Sequence, residues 1–270
     1  MPDVSEEQIL NQNQSLQPDF DPEEKPQPLT TAEAMVGVFT EPGNTFYTIS
    51  KTPRKSYWVL PFIISIVIGI IATLIFRSDS ELMDKVMDEQ LKKIEERFEK
   101  DVKSGKMTRE QADITLEQTQ KFMDPNNPIM IITMLVVPIF VQIAVFFLLS
   151  LLYMLALRIF KGEFLYVNIL NVLGLAMLIS AIGSLLATFL SILLGEISSV
   201  GLAAVFKKET VGEFLNTLFL KLDFITIWYF AVVSVGLSKI GNVKYSATFP
   251  VVFGLWVLYV LISSSVSLVF

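Results

Sequence analysis

YWVLPFIISIVIGIIATLIF, residues 57–76, runs for 20 positions without a charged side chain. A helix of that length covers about 30 Å, the thickness of the hydrocarbon core of a bilayer. Tyr57 and Trp58 open the run, as aromatic anchors at a lipid–water boundary do. Pro61 falls near the first turn, where a missing amide costs little. On either side the composition changes abruptly: the charges crowd into residues 1–54 and 77–124 and nearly vanish elsewhere. Only 18% of the 270 residues are charged and 52% are hydrophobic, against roughly 25% charged in a soluble domain. The excess apolar side chains therefore need lipid as their solvent, and the segregation is that of membrane spans joined by wet loops.

Towards the C-terminus the same pattern recurs. Residues 129–160 carry a charge only at Arg158. The run is too long for one upright span and too short for two, so a tilted or kinked helix is expected, with the kink near Pro138, whose ring removes a ladder bond. Gln142, one turn on, is placed to bond a freed carbonyl or a neighbouring helix. Residues 169–194 form the next span. In it and at its end Gly183, Ala187, Ser191 and Gly195 recur every four residues beside a second row, Ala176, Ser180, Ser184 and Thr188. Rows of small residues let helix backbones approach closely, which predicts a central helix packed inside the bundle, with a homodimer seam as the alternative use of the row. Residues 196–222 mix charged and apolar residues as an interfacial connector does. Residues 224–240, with Asp223 as N-cap, and 248–270 complete an all-α polytopic bundle of about five transmembrane helices.

Between the first two spans, residues 77–124 hold ten basic and thirteen acidic residues. Met83, Val86, Met87, Leu91, Ile94, Phe98 and Val102 recur at helical spacing. Ser104–Gly105 supplies a left-handed stop, and Thr108 with Gln111 a capping-box restart. An extramembrane α-hairpin over about residues 78–124 follows. Either the hairpin is a solvated structural element whose stripe packs on its own second arm, or the stripe, being longer than that arm can cover, is also a docking surface for another protein.

The N-terminal 30 residues contain five prolines and seven acidic residues against one lysine, the composition of a disordered acidic tail. They lack the basic start and apolar run of a signal peptide, so the first span is expected to act as its own insertion signal. Thr30 and Glu33 have capping-box spacing. Two short amphipathic pieces are expected between there and residue 56, broken at Glu41-Pro42-Gly43 and lying on the membrane surface with Lys51, Arg54 and Lys55 among the head groups.

The formal net charge of −6 offers no basic stripe for phosphates, which excludes a nucleic-acid partner. With no cysteine and no histidine, the usual metal ligands, thiolate chemistry and the commonest general base are all missing. No cofactor, metal site or catalytic activity is expected. The short flanks at Lys51–Lys55, Arg158–Lys161 and Lys239–Lys244 hold seven basic residues. The positive-inside rule puts these flanks and the N-terminus in the cytoplasm, and the hairpin and C-terminus outside, with Lys207 and Lys208 as the exception.

The segments VFTEPGNTFYTISKTP before the first span and LKLDFITIWYFAVVSVGLSKI leading to the last resemble the Yip-one domain family, the Ypt/Rab-interacting membrane proteins and their bacterial relatives. Pro42, Phe46 and Pro53 match the family's Pro, Phe and Pro, and Asp223, Trp228 and Gly236 its Asp, Trp and Gly on one helix. The likeness covers about residues 35–270. It implies a five-span bundle with a cytoplasmic N-terminus. Eukaryotic members are linked to vesicle traffic and small GTPases, and bacterial ones to assistance of membrane transport complexes. The charged insert after the first span departs from the eukaryotic pattern and favours the bacterial branch, in a bacterial cytoplasmic membrane.

The expected function is therefore a membrane scaffold or adaptor without catalytic activity. It would act in the lipid bilayer on other membrane proteins, such as a transporter complex, through small-residue faces and the hairpin. The alternative is a transporter or permease component for an apolar or lipid-like solute, passing the Pro138 kink, Gln142, Asn168 and Asn171.

Overall fold

The computed structural model describes residues 27–52, 56–162, 164–206 and 208–266. Pro53 of the first motif, most of the acidic tail and the last four residues lie outside them. The described chain is helical without a strand; its one isolated bridge pairs Gly201 with Asp223.

Two short helices, α1 (Thr31–Thr40) and α2 (Pro42–Lys51), precede α3 (Val59–Ser78). The hairpin is α4 (Ser80–Lys103) and α5 (Arg109–Met123). The long α6 (Pro128–Leu157) ends in a 3₁₀ turn, Arg158–Phe160. After α7 (Tyr166–Leu194), the connector is built from the 3₁₀ turn Leu202–Ala204, α8 (Lys208–Val211) and α9 (Glu213–Lys221). The chain closes with α10 (Phe224–Ile240) and α11 (Tyr245–Val266). Four of these helices, α3, α6, α7 and α11, are long and apolar enough to cross a membrane, and α10 is a shorter apolar helix of 17 residues.

The caps lie where the side chains permit them. Thr30 and Glu33 form a reciprocal box at α1, Thr108 and Gln111 another at α5, and Asp223 accepts the Thr226 N–H at the start of α10. Gly105, at φ +73°, takes the left-handed turn between the hairpin arms, where a Cβ would be strained.

The centre of the bundle is α7. Every residue from Asn168 to Ala176 is buried, and the helix touches α1, α2, α3, α6 and α10. By contrast, α6 and α11 line the outside, showing Phe140, Leu148, Leu155, Leu258 and Ile262. Large apolar side chains turned outward along whole helices fit hydrocarbon as their surroundings. Pro138 lies on the exposed side of α6, which continues through it as one helix.

Two expectations are corrected here. Over residues 31–52 the segment does not rest its apolar side on a lipid surface; Arg54 and Lys55, expected among the head groups, lie outside the described residues. Ala34, Val38, Phe46 and Ile49 are each at most 1% exposed, enclosed by the bundle core. An amphipathic face looks the same in sequence whether lipid or protein covers it. Tyr57 is likewise not a lipid anchor: it is fully enclosed and its hydroxyl donates to the Leu29 carbonyl, 2.9 Å away. Trp58 packs on Phe62, Phe146 and Phe147.

Candidate functional site

The residues of the two sequence motifs converge on α10. Gly236 lies against Val172 of α7 and Phe46 of α2, so closely that a Cβ there would sit 2.5 Å from a Val172 methyl and 3.0 Å from the Phe46 ring. Trp228, two turns nearer the other end of α10, meets the Phe39 ring edge-on at 5.8 Å. Pro42 opens α2, where its missing amide leaves no bond unmade. Gly37 faces Thr45 with no room for a side chain between them, which folds α1 against α2. This pair begins beside Tyr57, and Val36, Phe39 and Thr40 lie beside Ile68, Leu178 and Ile182, near the middle of α3 and α7. It ends at Lys51, beside the last turn of α10. The motif residues thus form a wedge that enters the bundle from one end to about half its depth.

At the opposite end the small-residue row of α7 meets the start of α10. Gly183 lies under Ile225, where a Cβ would approach to 2.4 Å. The Ser191 hydroxyl donates to the Ala187 carbonyl and accepts the Ser198 N–H at 2.9 Å. Gly195 does not pack: it is the left-handed cap of α7 at φ +67°, and an added Cβ would touch nothing within 4 Å. Four-residue spacing fits both a packing row and a helix stop, and only the backbone distinguishes them. A recess of about 290 Å³ lies here, lined by Ser184, Ala187, Ser199, Asp223 and Thr226 among others. Both Asp223 oxygens are engaged by Thr226, one by its N–H and one by its hydroxyl, so this carboxylate serves as a helix cap.

The charged hairpin rises from this same end. Its base is fixed by a cluster of Met83, Met87, Met123 and Met130 and by Arg77, which donates to the Pro125 carbonyl at 2.8 Å. Lys85 donates to the Gly195 carbonyl at 2.8 Å, which places the connector on the hairpin's side of the bundle. Further out, Ile114 is 51% exposed, while Lys121 bonds Glu117 at 2.7 Å and holds that carboxyl below its usual range. In the connector, burial lowers the Lys221 ammonium below the usual lysine range, and its Nζ lies 5.9 Å from the Tyr259 ring centroid.

Two polar residues inside the bundle serve helix packing. Gln142 donates to the Ser65 hydroxyl across the α6–α3 contact at 3.2 Å. Asn171 accepts the Trp58 N–H at 3.2 Å, satisfying an amide at the start of α3 that no carbonyl can reach. In the sequence Asn171 figures only on the alternative solute path, and this clamp is missed; an asparagine three residues before a glycine in an apolar helix is the available signal. Asn168 is separate from these and opens towards the end where Lys51 and Lys239 lie.

Among the described residues no cluster of acidic, histidine or cysteine residues could hold a metal ion. What the fold defines is a multi-pass α-helical membrane protein with a wedge packed on its fourth apolar helix. Residues 36–266 match the Yip1 domain family model, so the chain belongs to the Yip1 domain family. No curated protein and no solved structure matches it.

Proposed function

We propose that this protein is a non-catalytic membrane adaptor that holds or assists other membrane proteins, a transport complex among them. The observation that supports this best is the chemistry of the apolar helices. Between their end turns α3, α6, α7, α10 and α11 carry no Asp, Glu, Lys or Arg, whereas pumps and ion-coupled carriers keep such a group near the midplane. Gln142 and Asn171 are taken up by contacts between the bundle's own helices, and the hairpin extends charged faces and exposed Ile114 away from its fixed base. The protein reconstituted alone in liposomes should therefore pass neither protons, sodium ions nor a fluorescent lipid above the empty-vesicle rate. Flux of any of these tenfold over background would overturn the adaptor reading in favour of a carrier.

The wedge end carries Lys51, Lys161, Lys239 and Lys244, and we place it in the cytoplasm of a bacterium, with the hairpin and C-terminus outside. The chain has no native thiol. A single cysteine introduced at Gly105 should react with an impermeant maleimide on intact cells, and one at Lys244 only after the membrane is opened. The reverse labelling would invert the topology.

A further inference from the structure

At the wedge end, a cleft of about 670 Å³ opens between the C-terminus of α2, the N-terminus of α7 and the α10–α11 turn. Lys51 and Lys239 line it, with Ser50, Asn168 and Asn242. Among the described residues no acidic side chain lines it and neither lysine has a carboxylate partner. Asn168 is only 5% exposed, and its side-chain amide has no hydrogen-bond partner among the described residues. That amide opens into the cleft and is available to whatever fills it. The 29-residue α7 begins beside it, and no side chain caps its first amides, so its positive end also faces the cleft.

We propose that this cleft binds the phosphate of an anionic lipid. Two ammonium groups, an unpartnered amide and an uncapped helix N-terminus, gathered from segments far apart in sequence, form an anion site. The source of the phosphate follows from position. The cleft lies where apolar helices end, at head-group depth, and Phe164, Leu165 and Val243 line its apolar part, giving the glycerol and the first acyl carbons a surface that free phosphate does not need. Each lysine also sits in the last turn of its own helix, where it offsets the carbonyl end; the experiment separates that role from lipid binding.

The full-length protein in neutral detergent is titrated with dioleoyl phosphatidylglycerol, with dioleoyl phosphatidylcholine and with inorganic phosphate, and retained lipid is counted by native mass spectrometry. Phosphatidylglycerol should be retained at least tenfold better than phosphatidylcholine, and K51Q/K239Q should remove that preference, as expected for two charges near a lipid surface. N168L should weaken retention severalfold with both lysines intact, and it serves as the test if the double variant does not fold. K161Q/K244Q, with the same charge lost at the same end outside the cleft, should stay within twofold of the unaltered protein. Equal retention of the two lipids, equal loss in both double variants, or a K51Q/K239Q protein that loses thermal stability but keeps its lipid preference would overturn the proposal. Inorganic phosphate raising the melting temperature of a protein that retains no phosphatidylglycerol would also overturn it, in favour of a free-anion site.

Discussion

Gly174→Ala should destabilise the protein, although alanine is the better helix former. In the middle of a helix the exchange is ordinarily worth up to about 1 kcal/mol in alanine's favour. Gly174 is an exception because α3 starts directly against it. The new Cβ would lie 2.5 Å from the Trp58 Cβ and 2.7 Å from its Cα. The obstructing atoms belong to the backbone and its first side-chain carbon, so no rotamer change relieves them, and α3 has to move away from α7. That motion also stretches the bond from the Trp58 N–H to the Asn171 side chain, 3.2 Å at present. Overpacking costs about 1–3 kcal/mol, and losing the buried bond roughly 1 more. Gly69→Ala on α3 is the matched control, since nothing lies within 4 Å of its added Cβ. Thermal unfolding in detergent should show Gly69→Ala unchanged or slightly raised and Gly174→Ala lowered by several degrees, with Gly174→Val failing to elute as a monodisperse species. A Gly174→Ala protein as stable as its parent would mean that α3 and α7 do not meet at this point.

How much of this is legible in the sequence depends on which forces act locally. The long apolar helices follow from run length against bilayer thickness, and their ends from single side chains: Thr30, Thr108 and Asp223 cap where their spacing says they should. The membrane bundle and its family were therefore readable. Three kinds of feature were not. The wedge was placed on lipid because a strip such as Val38, Phe46 and Ile49 is equally satisfied by hydrocarbon or by protein, and periodicity does not identify its neighbour. The four-residue row pointed to close packing, and Gly183 does pack on Ile225, but Gly174, which meets the Trp58 backbone, stands outside that row. Gly195 keeps the spacing and ends the helix. Finally, the lysine cleft joins residues 51, 168 and 239, whose proximity is a property of the fold alone.

The wedge offers a second large effect, and one that can be reversed. Phe46→Ala removes a fully enclosed ring from between α2, α7 and α10 and should cost about 3–5 kcal/mol, the usual range for a phenylalanine deleted from a packed core. Gly236→Ala attacks the same contact from the other side. Its Cβ would press on both Val172 methyls, at 2.5 and 2.9 Å, and on the Phe46 ring at 3.0 Å. Because the obstruction lies at side-chain ends, a compensating deletion can clear it, which is not so at Gly174. Val172→Ala with Gly236→Ala transfers the methyl volume from one helix to the other, and the pair should recover about 1–2 kcal/mol of the sum of the single losses. The melting temperatures of the two singles and the double close this cycle. Simple additivity would show that Gly236 and Val172 do not touch, and that α10 meets α7 elsewhere. Recovery would tie the stability of the wedge to the small residue on α10, giving a physical reason for a phenylalanine before the first apolar helix and a glycine in the fourth to belong to one pattern: neither side chain fits unless the other position is as it is.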